Sequence, residues 1–280
     1  LDVNPPFEPL FWRRMAGVIG YDVISRFVVT VDYDRQTITL HDPATWRYTG
    51  AEPPLPMVMN GTVPAVRAAF DGDDEGLFRL DVGSGSTVDV HSPFVRRHAL
   101  QERLKHSFEV DGVGFGGTFA STLGRLRRMR IGPYEWDDPI VVLSGARDGA
   151  FASEEFAGNI GNGVLERFTV TFDYAGRRVV LEPGARYDAR DHLTRAGILF
   201  TRLDGIVRVA SVLPGSPGER AGLQPWDQVL EIDGRPIASW DLPQVTALFD
   251  DGEAGRTVRL RVRRDGAERR PRVRLADFIR

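Results

Sequence analysis

Gly158 to Tyr174 reads GNIGNGVLERFTVTFDY, and Gly17 to Tyr33 reads GVIGYDVISRFVVTVDY. The two stretches align without a gap at an offset of 141. Gly17, Ile19, Gly20, Val23, Arg26, Phe27, Val29, Thr30, Asp32 and Tyr33 all recur. Each stretch runs on into alternating apolar and polar residues, FVVTVDYDRQTITLHDP and FTVTFDYAGRRVVLEP. That alternation is the pattern of a β-hairpin, with Asp34-Arg35 and Ala175-Gly176 at the turns. The chain therefore holds two copies of one β-rich unit of about 140 residues, the length of a domain.

The second copy is complete. PMVMNGTVPAVRAAFDGDDEGLFRLDVGSGS predicts three short strands joined by Gly and Asp turns. SPFVRRHALQERL has a Ser-Pro start and helical spacing of Phe94, Val95, Leu100 and Leu104. A glycine-rich hairpin, FEVDGVGFGGTFAST, comes next, and then strands around GRLRRMRIG and PIVVLSG. The first copy is partial. At the same offset, the counterpart of Asp81 falls about sixty residues ahead of Leu1. LFRLDVGSGSTVDV, Leu77 to Val90, is the chemically suggestive part: an apolar strand enters Asp81, a Gly-Ser turn succeeds it, and a second strand leaves. An Asp-x-Gly turn alone is ordinary hairpin chemistry.

Composition narrows the classes. The chain has 280 residues and a net charge of −3, which is no general signature of a nucleic-acid or charged-membrane partner. It has no cysteine, hence no thiolate nucleophile and no thiolate metal site. His41, His91, His98, His106 and His192 are scattered with no ligand spacing, so no metal and no cofactor are expected. Ser84 and Ser86 lie near His91 in sequence, but no Gly-x-Ser-x-Gly elbow is present, which argues against a serine hydrolase of that type. Lys105 is the only lysine beside an abundance of arginine, a bias that reads as genome composition.

The Asp-x-Gly-Ser turn, the glycine-rich hairpin and the later Ile160-Gly161 before a short helix resemble one lobe of an aspartyl protease. Beyond residue 184 the chain continues into VLPGSPGERAGLQPWDQVLEIDGRPI, which strongly resembles a bacterial-type PDZ domain. The whole chain thus resembles the bacterial retropepsin-like aspartyl proteases that carry a PDZ domain. The resemblance implies a mainly β fold of retropepsin-like lobes, the first partial, followed by a PDZ domain. It places the C-terminal part of a first lobe at 1–50, a second lobe at 51–184, and a linker with the PDZ domain at 185–280. It implies Asp81 as a catalytic carboxylate in an active-site loop with Val82, Gly83 and Ser84, under a flap of Gly114, Phe115, Gly116 and Gly117. Two such carboxylates about 3 Å apart share a proton, because like charges that close cannot both ionise, and the pair activates a water. The family has Thr where this chain has Val82. Valine keeps the shape but loses the hydroxyl that would tie two such loops together. The resemblance implies that the second carboxylate comes from the upstream part of the first lobe or from a second chain, as in a homodimer. An inactive, peptide-binding pseudo-protease and a structural dimer of single lobes stay open as alternatives.

The charged stretch LEPGARYDARDHLTR reads as the linker to the PDZ domain, within which a helix is expected over Leu242 to Phe249. The PDZ resemblance implies a groove that takes the end of a peptide as an added strand, with its carboxylate held by backbone N–H groups. The residues implied are Ala196, Gly197, Ile198, Leu199 and Phe200. Trp226 stands where the family usually has Gly. The family is exported, so a periplasmic or external location in a bacterium is expected, together with peptide or protein substrates.

Overall fold

The computed structural model describes residues 8, 9, 12, 14, 16–72, 74–114, 117–191 and 194–279. The chain is mainly β and separates into two units. One spans 19–191; the other is built from the described residues before Ile19 and after Asp191. No helix among the described residues is long and apolar enough to cross a membrane.

The strands of the first unit are, in order, β1 Val28–Asp32, β2 Thr37–His41, β3 Leu55–Pro56, β4 Val58–Asn60, β5 Val63–Phe70, β6 Asp74–Leu80, β7 Val88–Val90, β8 Lys105–Gly114, β9 Gly117–Arg125, β10 Arg128–Ile131, β11 Tyr134–Asp137, β12 Ile140–Ser144, β13 Gly158–Ile160, β14 Phe168–Asp173 and β15 Arg178–Pro183. They form a five-stranded sheet ordered β2-β1-β14-β15-β3. A larger sheet is ordered β11-β10-β5-β6-β13-β7-β12-β9-β8, with β4 on β5. One apolar core draws on both, from Phe70 and Phe78 to Phe168 and Phe172.

The repeat organises the smaller sheet. β1 of the first copy pairs antiparallel with β14 of the second, and Thr30 meets Thr171, its own counterpart. Their hydroxyls are 2.9 Å apart. Val28 pairs with Asp173 and Asp32 with Thr169, so a local twofold axis passes between the two threonines. Helices Tyr21–Ile24 and Asn162–Leu165 are related in the same way. Tyr33 donates to Asn162 Oδ1 at 2.8 Å, and in the matching place Tyr174 meets Tyr21 edge-on at 5.6 Å.

The copies differ in what covers them. Ile160 is fully buried and Val164 with it, while their counterparts Ile19 and Val23 are 72% and 41% exposed. In the second copy, β13 lies between β6, parallel, and β7, antiparallel.

Two sequence-based expectations change here. The helical stretch from Ser92 is two short helices, Ser92–Arg97 and Leu100–Arg103, separated by Ala99 in the left-handed region at φ +49°. The charged linker is pinned at Asp191, which is buried against Arg167. Asp191 also accepts from the Ile140 N–H at 3.1 Å, and its carbonyl accepts from Arg125 at 2.6 Å.

The second unit has strands β16 Ile198–Leu203, β17 Ile206–Val212, β18 Gln228–Ile232, β19 Arg235–Pro236, β20 Thr257–Arg264, β21 Ala267–Arg269 and β22 Arg272–Arg274. The order is β16-β17-β18-β20-β21, with β19 on β18 and β22 on β20. Helix Leu242–Phe249 forms as expected. A capping box between Asp241 and Gln244 and a Pro in its first turn set its start. It buries Val245, Leu248 and Phe249 in a core shared with Ile198, Phe200 and Trp12.

Candidate active site and peptide groove

β6 delivers Asp81 to the loop, and the second Gly-x-Ile-Gly element clamps it. The Asp81 N–H donates to the Ile160 carbonyl at 2.9 Å, and Asn162 N–H to the Ser84 carbonyl at 2.9 Å. Gly163 N–H reaches the Ser86 carbonyl at 3.0 Å, and Asn162 Nδ2 the Val82 carbonyl at 3.0 Å. This closeness explains the glycines. A Cβ on Gly161 would run into the Ser86 carbonyl oxygen, and one on Gly158 into that of Asp89. Asp81 Oδ1 accepts from the Gly83 N–H at 3.0 Å. Asp81 is partly exposed, and Val82 beside it is 46% exposed.

A polar row that the sequence did not reveal supports the loop from below. Ser84 and Ser86 hydroxyls are 2.8 Å apart, and Ser86 donates to Asp89 at 2.6 Å. Burial pushes the Asp89 carboxyl above the usual carboxylate range; the Ser86 hydrogen bond opposes this. Arg79, Asn159 and Asp89 sit at one level on β6, β13 and β7. Arg79 donates to Asn159 and, at 3.1 Å, to His91 Nε2. His91 is fully buried, and its Nδ1 meets the Ser153 carbonyl at 3.3 Å. Burial, and then the Arg79 charge, lower its pKa to about 4. The alternation along β7 held the one signal for this row: a charged residue between two inward valines.

β8 and β9 form the hairpin expected as a flap, paired from Lys105 and Arg125 out to Gly114 and Gly117. Phe115 and Gly116 lie outside the described residues. Among the described residues no three His, Asp or Glu side chains gather as metal ligands. No serine there hydrogen-bonds a histidine that also meets a carboxylate. His98 meets Asp74 at 2.6 Å without a serine, and Ser86 meets Asp89 without a histidine.

In the second unit β16 is an edge strand. The expected carboxylate loop precedes it. Gly197 has φ +68°, and a side chain there would strike Ser216. Ala196 and Gly197 N–H groups both point at one oxygen, Thr194 Oγ1, at 3.2 Å each. Thr194, which no sequence motif singled out, occupies both of these donors. Ala196, Ile198 and Phe200 are buried, with Phe200 against Phe249 at 5.1 Å, whereas Leu199 is 54% exposed. Arg195 is taken up by Asp277 at 2.7 Å and the Gly252 carbonyl at 2.8 Å. The chain's own early residues reach this edge. Thr201 Oγ1 donates to the Pro9 carbonyl at 3.3 Å, and Arg202 lies 4.9 Å over the Trp12 ring. Two neighbouring side chains of β16, Thr201 and Arg202, thus both meet these early residues. Trp226 takes φ +73° in its turn and is 67% exposed, while Asp227 after it is buried and held by both arms of Arg264.

Residues 208–264 match the PDZ domain family, and the chain carries a PDZ domain. A stretch of 61 residues is 46% identical to the magnetosome formation protease MamE of Paramagnetospirillum magneticum, covering 21% of this chain and 8% of that protein. Another of 63 residues is 33% identical to the carboxy-terminal processing protease CtpA of Bacillus subtilis, covering 22% and 13%. The chain thus spans only 8% and 13% of these curated relatives. Among solved structures, a retropepsin-like aspartic protease from Rickettsia conorii is similar at TM-score 0.35 and 16% identity, over 47% of this chain and 99% of that one. A serine endoprotease from Yersinia pestis is similar at TM-score 0.30 and 12% identity, over 91% and 86%.

Proposed function

We propose that this protein is an exported bacterial peptidase of the aspartyl type, in which Asp81 supplies one of two carboxylates and the PDZ domain binds peptide chain ends. The observation that carries the reading is the Asp81–Ser86 loop clamped by Ile160, Gly161 and Asn162, while the same clamp in the first copy stands uncovered. A second aspartate loop seated on Ile19 and Gly20 would face the first across the twofold axis through Thr30 and Thr171. That loop comes from sequence ahead of the first copy or from a second chain. Asp81 Oδ2 and its partner would then share one proton, and the ionised member would take a proton from water as the water attacks the peptide carbonyl. The protonated member would polarise that carbonyl. The hairpin β8–β9 would close over the substrate. A peptide carboxylate would displace Thr194 Oγ1 from the Ala196 and Gly197 N–H groups, and its chain would add along β16.

The curated relatives bear the name protease, one of them serine protease, and the solved neighbours include serine enzymes. Against a serine mechanism in the first unit stands the lack, among described residues, of a joined serine, histidine and carboxylate. One observation favours a second reading, a peptide-binding pseudo-protease: Val82 offers no hydroxyl to a facing loop. The deciding experiment is cleavage of an unfolded protein by the full-length product and by Asp81→Asn. The peptidase reading expects cleavage by the first and none by the second. Equal cleavage by both removes Asp81 from catalysis, and no cleavage by either leaves the pseudo-protease.

A further inference from the structure

The last strands of the PDZ unit carry a charge that peptide cleavage and peptide binding do not use. Residues 256–274 hold nine arginines and two acidic residues, in a chain whose net charge is −3. Alternation along the strands buries Val258, Leu260, Val262 and Val273. It turns Thr257, Arg259, Arg261 and Arg263 to the other face of β20, and Arg272 and Arg274 to that face of β22. The register sets Arg259 directly opposite Arg272 and Thr257 opposite Arg274. Like charges directly opposite on one sheet face oppose the pairing.

Acidic partners answer only part of this. Arg261 meets Glu231 and Glu268, and Arg263 meets Glu268 at 3.5 Å. Among the described residues, no carboxylate lies within ion-pairing distance of Arg259, Arg270 or Arg272. Over this face runs an open groove of about 560 Å³, lined by Thr257, Arg259, Arg261, Arg270 and Arg272. The two carboxylates that also line it, Glu231 and Asp233, are already engaged, by Arg261 and Arg256.

We propose that this groove is a binding site for a phosphate-bearing anion, held by Arg259, Arg270 and Arg272. Guanidinium forks pair phosphate oxygens with two parallel hydrogen bonds. A single carboxylate would answer one of the three charges, whereas a phosphate-rich ligand answers them together and relieves the Arg259–Arg272 repulsion. The volume suits a small ligand of several phosphates or a lipid headgroup. The chain's small net charge does not oppose this, since the local field, not the total, attracts a ligand at groove range. The proposal is independent of the peptidase reading.

The test titrates the full chain with tripolyphosphate by calorimetry at about 50 mM salt, where screening is weak. In parallel the chain is sedimented with vesicles of phosphatidylglycerol and phosphatidylcholine, and of phosphatidylcholine alone. The controls are Arg259→Gln with Arg272→Gln, and Arg96→Gln with Arg97→Gln, which removes the same charge from an exposed helix end. The expected result is saturable tripolyphosphate binding, weakened about tenfold or more by the first pair and unchanged by the second. The first pair melts no lower than the parent, because it removes a like-charge contact. Phosphatidylglycerol binding that tripolyphosphate displaces assigns a lipid headgroup; tripolyphosphate binding without vesicle binding assigns a soluble ligand. Absence of saturable tripolyphosphate binding overturns the site, as does equal weakening by both pairs or full binding by the first.

Discussion

Gly161 and Gly20 hold the same place in the two copies, and their surroundings make them opposite tests. A methyl on Gly161 meets the Ser86 carbonyl, while one on Gly20 meets only the tip of Asp22 at 3.1 Å, a side chain that can swing away. Gly161→Ala is expected to cost about 1–3 kcal/mol and to displace the Asp81 loop, measured by urea unfolding. Gly20→Ala should stay within about 0.5 kcal/mol. His91 supplies a pH test. Its folded pKa is held to about 4, below the ordinary 6.5 of the unfolded chain. Between those values the unfolded chain takes up a proton that the folded one refuses. Stability should therefore be full above about pH 6.5 and fall as pH drops towards 4, by about 3 kcal/mol in all. The urea midpoint of His91→Gln should lose this slope. The turn at Asp81 was legible in the sequence because a turn is written in neighbouring residues, whereas what Gly161 must clear, the Ser86 carbonyl, is far along the chain. His91 was not legible either, since five scattered histidines look alike until one is buried beside Arg79.

Strands and hairpins arise from alternation, and the two repeated hairpins and the three strands before Asp81 were visible in the residue pattern; helix Leu242–Phe249 was expected from the PDZ resemblance. What the pattern misses is how short pieces end. The stretch from Ser92 keeps helical spacing through Leu104, yet breaks at Ala99, and the linker is fixed at a single buried aspartate. Trp12 is the least legible core residue, since nothing local marks it as part of the PDZ core. Trp12 is 7% exposed. Trp12→Ala should cost about 3 kcal/mol in unfolding of that unit. If the segment carrying Trp12 competes with ligands for the outer edge of β16, the same substitution should let a fluorescent peptide with a hydrophobic C-terminus bind more tightly by anisotropy. Unchanged affinity would show that the segment does not compete for that edge.

Over the whole molecule, the two copies share sequence but not burial. Ile160→Asp puts a charge into a full core and should prevent folding of the first unit. Ile19→Asp, at a position 72% exposed, should leave stability within about 0.5 kcal/mol. If a second aspartate loop seats on that surface, Ile19→Asp should nonetheless abolish peptide cleavage by the full-length product. Covering an isoleucine is worth about 1.5–3 kcal/mol, so Ile19 and Val23 together offer a partner several kcal/mol. By itself the sequence determined the repeat, the hairpins, the Asp81 turn and the PDZ signature, because each is written in residues close along the chain. Only the tertiary structure decided that the copies meet at Thr30 and Thr171, that Asp89 and Arg79 underlie the loop, and that an arginine-lined groove stands open on the last strands. Those depend on which strands become neighbours, and burial, charge and pairing are properties of neighbours rather than of order along the chain.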